Sequence, residues 1–152
     1  MATESEGRAE ERVEGWTEGQ MDRDVCKLVH RFAQTLDVHV RRVAEGLGLT
    51  PSQVVALREL TEPITARELA HRMHCEPSNA TFVLDRLEQQ GLIERRPHPT
   101  DRRAKQIVLT EPGAALRARV LEETSARSPL TSLTAPQQES LRDLLRALVD
   151  PR

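Results

Sequence analysis

The sequence is poor in aromatic residues and in cysteine, and both shortages restrict the kind of protein it encodes. Aromatic side chains make up 2% of the 152 residues, and tyrosine is absent. A core built without them is aliphatic, which favours helices packed through Leu, Val and Ala. The two cysteines, Cys26 and Cys75, are too few and too far apart for a disulfide framework, and neither belongs to a CxxC pair of the kind that binds structural zinc.

Long apolar runs and a leader sequence are missing as well. No run of eighteen or more apolar residues is present, so no membrane span is predicted. The first residues are acidic where a secretion signal has basic and then apolar residues. We therefore expect a cytoplasmic protein whose 152 residues form one core and not two.

Signs of enzymatic chemistry are also lacking. The sequence contains no nucleophile elbow, phosphate loop, paired-carboxylate motif or metal triad, which predicts a protein that is not an enzyme and has no cofactor. His71, His74 and Cys75 form a His-x-x-His-Cys cluster whose two histidines can share one metal. Because no carboxylate or second cysteine is placed by the sequence to complete the shell, no metal site is predicted.

The pattern of charged and apolar residues changes near residue 20. Residues 1–19 contain six Glu against two Arg, a net charge of −4, and we predict a flexible acidic arm there. From Met21 onwards apolar residues recur every three or four positions, which predicts that segment 20–48 forms one long helix of roughly seven turns. These residues are Val25, Leu28, Val29, Phe32, Leu36, Val40, Val43 and Leu47.

Start signals for three shorter helices follow. Residues 50–53 and 65–68 are capping boxes, in which a threonine stands three positions before Gln or Glu. A further helix is predicted to begin at Pro77 and to stop at Gly91, a residue suited to the left-handed conformation after a helix end.

The pattern becomes extended after Gly91. Residues 92–96 and 106–109 are β-capable and flank a turn-rich basic loop, which predicts a hairpin with a charged tip. Two short helices followed by such a hairpin make a winged helix-turn-helix, whose second helix can enter the major groove of DNA. From Arg86 to Lys105 six basic residues stand against three acidic ones, so a local charge of +3 suited to phosphate contact lies in a chain of net charge −2.

The last segment, 111–152, is predicted to form two helices that begin after Thr110 and Thr134. The second of them spaces its leucines as in a coiled coil, so its apolar face needs a partner, either a second copy of the chain or an intramolecular core. The sequence therefore predicts a mainly α fold with a small β-hairpin wing, in which a winged helix-turn-helix lobe at 49–110 is flanked by N- and C-terminal helices that form a dimerisation region.

Several stretches between residues 21 and 148 resemble the MarR family of transcriptional regulators. They are 49–53, 65–70 and 85–92, which are similar to the family's second, third and fourth helices, and 92–96, 101–103 and 108–110, which are similar to its wing. The resemblance implies a transcriptional regulator, a repressor, that binds double-stranded DNA at a pseudo-palindromic operator as a homodimer. The dimerisation residues that it implies are Val25, Leu28, Leu141, Leu144, Leu145 and Leu148.

In this family the DNA contacts come from the fourth helix and the wing. Ser78 and Asn79 can touch phosphates or base edges, or can simply start the helix. Arg103 matches the arginine of the family's Asp-x-Arg wing motif and is expected to enter the minor groove, with Asp101 bracing the loop. The full set of predicted DNA-binding residues is Ser78, Asn79, Thr81, Arg86, Arg95, Arg96, Asp101, Arg102 and Arg103.

Two features of this set leave alternatives open. Arg86, Arg95 and Arg96 are either phosphate contacts or members of internal salt bridges. Phe82 stands where many relatives have a basic residue, so base readout at this position gives way to a thymine-methyl contact or to simple packing.

The resemblance also implies a switch, because family members respond to a small phenolic or other anionic ligand, or to cysteine oxidation. Cys26 is similar in position to the peroxide-sensing cysteine of OhrR-like members, with His30 as a second candidate effector residue, but the tyrosines of those relatives are missing here. Cys26 is therefore either a redox sensor or a buried structural cysteine. A winged-helix protein-interaction module without DNA binding is the remaining alternative, which the net charge of −2 and Phe82 permit.

Overall fold

The computed structural model describes residues 17–150, apart from the side chain of Glu18. Most of the predicted acidic arm therefore lies outside the described residues. The chain divides between Gln34 and Thr35 into two compact units. In order, its elements are α1 (Glu18–Leu47), α2 (Pro51–Glu59), β1 (Ile64–Thr65), α3 (Ala66–Arg72), α4 (Pro77–Gln89), β2 (Ile93–Pro97), β3 (Lys105–Leu109), α5 (Glu111–Ala126), a 3₁₀ turn (Pro129–Ser132) and α6 (Ala135–Val149).

The predicted fold class is confirmed, with two corrections at element level. Helix α1 begins at Glu18, so residues 18 and 19 are helical and not part of an arm. The sheet has three antiparallel strands in the order β1-β3-β2, one more than the predicted hairpin. Strand β1 pairs with β3 through Ile64 opposite Ile107. The extra strand ties the start of α3 to the wing. Within residues 17–150, no helix is both long and apolar enough to cross a membrane.

Both predicted capping boxes are formed. The Thr50 hydroxyl accepts the amide of Gln53 at 3.2 Å, and the Gln53 side chain accepts the amide of Thr50 at 3.0 Å. At α3 the Glu68 carboxylate accepts the Thr65 amide at 2.6 Å. This backbone hydrogen bond, together with one from the Thr65 hydroxyl, holds the pKa of Glu68 below its ordinary value. The helix starts are therefore set locally by sequence.

The core of the second unit is aliphatic, as the shortage of aromatic residues predicts. Its largest fully buried side chains are Leu57, Leu69, Leu84, Leu87, Ile93, Ile107, Val54 and Val120. These residues come from α2, α3, α4, α5 and the sheet, so one cluster fixes α4 against the wing and α5.

The start of α5 lies directly against the corner between α4 and β2. Gly91 turns the chain there with a φ of +71°, which glycine tolerates and other residues rarely adopt. The Thr110 amide donates to the carbonyl of Leu92 at 3.1 Å, and the Thr110 hydroxyl donates to the carbonyl of Gly91 at 2.6 Å. A Cβ added at Gly113 would lie 1.8 Å from the oxygen of Leu92. Only a glycine lets the two segments come so close.

Candidate nucleic-acid interface

Helix α4 has one buried face and one exposed face. Ala80, Val83, Leu84 and Leu87 are buried in the core, which leaves the opposite side of the helix to solvent. The predicted DNA contacts of this helix, Ser78, Asn79, Thr81 and Arg86, are all exposed. The N-cap residue is Glu76, and no side chain caps the helix. Ser78 and Asn79 therefore have no capping role.

Two exposed residues of α4 have defined local contacts. The Thr81 hydroxyl donates to the carbonyl of Pro77 at 3.0 Å, which leaves its lone pairs as acceptors. The Phe82 side chain is 63% exposed, so it does not pack in the core. The guanidinium carbon of Arg86 lies 5.8 Å from the centroid of the Phe82 ring, within cation–π range.

The wing tip, residues 98–104, is a braced loop. The Asp101 carboxylate accepts the amide of Arg103 at 2.9 Å, and the His98 Nδ1 atom accepts the amide of Asp101 at 3.1 Å. The His98 amide donates to the carbonyl of Ala104 at 3.1 Å, which closes the loop. Asp101 thus has the bracing geometry expected from the sequence. Arg102 and Arg103 are exposed, and neither forms an ion pair with a residue from 17 to 150.

The arginines of β2 differ in their surroundings. Arg95 is 21% exposed and bridges two carboxylates of α4, Asp85 at 2.7 Å and Glu88. Burial by itself would lower the pKa of Arg95, but the hydrogen bond that Arg95 donates to Asp85 and the charge of Glu88 raise it above its ordinary value. Arg96 is exposed and pairs with its neighbour Glu94 on the same strand. Of the two alternatives, the internal salt bridge describes Arg95, whose guanidinium ties the wing to α4.

The predicted dimerisation residues are mostly exposed. In the first unit, Val25 and Leu28 of α1 are exposed. In the second unit, α6 has no buried residue, and Leu144 and Leu148 are 66% and 70% exposed. Leu141 and Leu145 are half-buried. An apolar stripe of this kind on a terminal helix is typical of a surface that pairs with another chain.

The candidate switch residues lie in different settings. Cys26 is exposed, so the interpretation as a buried structural cysteine is wrong for the single chain. His30 is exposed, and its Nε2 atom lies 3.4 Å from the side-chain amide nitrogen of Gln34. In the part of the chain that the structure describes, no three His, Cys, Asp or Glu side chains come together as a metal site. The rings of His71 and His74 are 6.4 Å apart, centroid to centroid.

A second histidine of α1, His39, lies beside a cleft. His39 is buried, and its Nε2 atom donates to the carbonyl of Thr124 at 2.9 Å, which joins the end of α1 to α5. The cleft beside it has a volume of about 290 Å³ and is lined by basic residues that include Arg42 and Arg119, with Glu123 as a carboxylate. Its polar lining was not predictable, because the cleft depends on which faces of α1 and α5 meet.

The chain is similar to known proteins of one family. The family model described as "MarR family" matches residues 49–105. A transcriptional repressor of the HTH type from Mycobacterium bovis, Mb2911, is 31% identical over 125 residues, which cover 80% of this chain and 90% of the relative. The organic hydroperoxide resistance transcriptional regulator of Bacillus subtilis is 25% identical over 133 residues, 86% of this chain and 90% of the relative.

A solved structure gives the same result for the fold. A mutant of MarR from E. coli, complexed with operator DNA, matches with a TM-score of 0.70 and 25% identity, covering 88% of this chain and 99% of that one. The sequence and structure comparisons therefore agree on one family and one architecture.

Proposed function

The chain belongs to the MarR family of transcriptional regulators, which are not enzymes, and on that premise we propose that it represses transcription as a homodimer bound to a pseudo-palindromic operator. The observation that carries the proposal is the exposed polar face of α4 beside a braced wing whose Arg102 and Arg103 form no ion pair with the described residues. Lobe 49–110 is the DNA-binding part in this proposal, and it acts in the cytoplasm, where operator DNA is found.

Helix α4 and the wing divide the DNA contacts between two grooves. Ser78, Asn79 and Thr81, at the start of α4, contact phosphates and base edges in the major groove. Arg103 enters the neighbouring minor groove, because a planar guanidinium suits a narrow and electronegative groove. Arg102 and Arg96 are exposed and neutralise phosphates beside it.

Segments 20–48 and 111–152 form the dimer interface in this proposal. The exposed apolar residues of α1 and α6 support it, since an unpaired apolar stripe is poorly soluble in a single chain. Two-fold symmetry would place the two recognition helices on DNA half-sites about one helical turn apart.

A small anionic ligand modulates the dimer in our proposal. The cleft beside His39 supports it, because the lining includes Arg42 and Arg119 and its volume of about 290 Å³ suits a small phenolic acid. A ligand in this cleft would contact both α1 and α5 and so alter how the DNA-binding lobe is held.

Binding to a labelled duplex from upstream of the chain's own coding region tests the DNA-binding part of the proposal. Scrambled competitor and a salt series separate specific from non-specific binding. Arg103→Ala is expected to weaken binding about tenfold and to reduce the slope of log affinity against log salt by about two, one for each protomer of the dimer. Arg142→Ala removes the same charge from an exposed position on α6, and we expect it to bind as the original chain does.

Two results would contradict the proposal in different ways. If Arg103→Ala binds DNA as tightly as the unsubstituted chain, Arg103 does not contact DNA, whereas the proposed role of α4 still stands. Binding that is indifferent to sequence would favour the protein-interaction module instead.

A thiol switch at Cys26 is the second candidate. Its exposure and the similarity to a regulator of organic hydroperoxide resistance favour it. Under this alternative an organic hydroperoxide releases the original chain and Cys75→Ser from DNA, whereas Cys26→Ser stays bound. Equal release of all three chains would exclude Cys26 as the sensor.

A further inference from the structure

Phe82 is an unusual residue for its position on α4. It is 63% exposed, in a chain whose aromatic content is 2%. At 100° per residue, its side chain lies on the side of the helix opposite the buried residues Ala80 and Leu87. The fold makes no use of this ring, so a large apolar surface is presented from the middle of the face that reads DNA.

Charged residues lie on both sides of Phe82 on the exposed face of α4. On the side towards the wing, Asp85 and Glu88 are both paired with Arg95, which offsets one of their two negative charges. On the other side the guanidinium carbon of Arg86 lies 5.8 Å from the ring centroid. The aromatic ring therefore has a cation in contact with it.

Base edges in the major groove differ in what they offer to such a ring. Phenylalanine has no hydrogen-bond donor or acceptor, so it cannot pair with the polar atoms of guanine, cytosine or adenine. Thymine alone presents an apolar group there, its 5-methyl. The positive charge of Arg86, which lies over the ring, matches the phosphates that border the groove.

We propose that Phe82 packs against the 5-methyl group of a thymine in each half-site and that Arg86, positioned by the ring, binds the adjacent phosphate. This inference rests on the proposed operator binding and adds the base that is read. Burial of the thymine methyl group against the Phe82 ring predicts a preference of about three- to fivefold for thymine over its demethylated analogue in one half-site. Two symmetric contacts in one operator multiply to about tenfold or more.

Deoxyuridine substitution tests the proposal, because deoxyuridine differs from thymidine only by the missing methyl. Duplexes are first selected from a random pool by the original chain, and each thymine of the selected sequence is then replaced singly. We expect one thymine per half-site at which the replacement weakens binding about three- to fivefold. Replacement at the other thymines should leave binding unchanged.

Variants assign the effect to the two side chains. Phe82→Ala is expected to bind thymidine and deoxyuridine duplexes equally, and Phe82→Leu to keep part of the preference. Both variants change an exposed side chain, and their thermal unfolding is measured to establish that they fold. Arg86→Ala should keep the thymine preference but reduce the salt slope by about two, one for each half-site.

The possible outcomes distinguish a failure of this inference from a failure of the proposed operator binding. If the original chain selects no sequence, operator binding fails and the role of Phe82 fails with it. If it selects a sequence in which no deoxyuridine replacement weakens binding, or if Phe82→Ala keeps the same sensitive position, only the Phe82 contact is wrong.

Discussion

Gly113 sets how closely α5 approaches the wing. A methyl group there would lie 1.8 Å from the carbonyl oxygen of Leu92, an atom of the backbone that cannot rotate away. We expect Gly113→Ala to lower the free energy of unfolding by about 1–3 kcal/mol, because α5 must shift and strain the packing around it. Denaturant unfolding at a fixed protein concentration measures the change.

Gly46 supplies the matched control for this prediction. A Cβ at Gly46, also in a helix, would have no atom within 4 Å. Gly46→Ala is therefore expected to be neutral or to stabilise the chain by about 0.5–1 kcal/mol. Equal effects of the two substitutions would show that the approach to Leu92 is not what requires glycine.

Individual residues were predictable where their role depends on near neighbours in the sequence. Asp101 braces the wing through a hydrogen bond to the amide two positions on, which the Asp-x-Arg spacing already indicates. Arg95 and Arg96 are adjacent and identical in type, and the structure separates them because Arg95 faces α4 and Arg96 does not. Which carboxylates of a neighbouring helix contact an arginine on a strand is not a local property of the sequence.

At the scale of elements, the tie between β2 and α4 is the contact to test. Arg95 bridges Asp85 and Glu88, so we expect Arg95→Met to weaken operator binding severalfold by loosening the wing. Since the guanidinium is occupied by carboxylates, the slope of log affinity against log salt should stay unchanged. An exposed pair of this kind contributes less than about 1 kcal/mol, so the free energy of unfolding should fall little.

Arg102→Met is the control for Arg95→Met, since it removes the same charge from the wing tip. We expect its salt slope to fall by about two, one for each protomer of the dimer. If the salt slope of Arg95→Met falls by a similar amount, Arg95 contacts a phosphate in the complex. Arg95 would then no longer pair with Asp85 and Glu88.

Helix starts were predicted well, whereas the third strand was missed. The capping boxes at Thr50 and Thr65 are local patterns, and both are formed. Strand β1 has only two residues, Ile64 and Thr65, and the second of them is also the N-cap of α3. Its extended state depends on pairing with β3, more than forty residues away, which no periodicity in so short a segment indicates.

For the whole molecule, the proposed dimerisation through the exposed leucines on α6 is the property to test. We expect Leu144→Glu with Leu148→Glu to shift the chain to a monomer, because charge on a 66–70% exposed apolar stripe opposes its burial against a partner. Sedimentation measures the shift, and operator affinity should fall by more than tenfold as the second half-site is lost.

Arg142→Gln with Arg146→Gln changes the net charge by the same amount at exposed positions of α6 away from its leucines, and we expect this control to remain dimeric. A dimer that persists in the leucine variant would mean that α6 is not part of the interface. The melting temperature of the original chain should also rise with protein concentration, as it does when folding and association are linked.

The braced wing tip has a consequence for conformational entropy. Fixing the backbone of one residue costs about 1–2 kcal/mol, and in loops that order only on binding this cost reduces affinity. The hydrogen bonds of His98 and Asp101 fix the loop when the chain folds, so the cost falls on folding and not on DNA binding. In the proposed complex, Arg102 and Arg103 therefore meet DNA on a support that is ordered before binding.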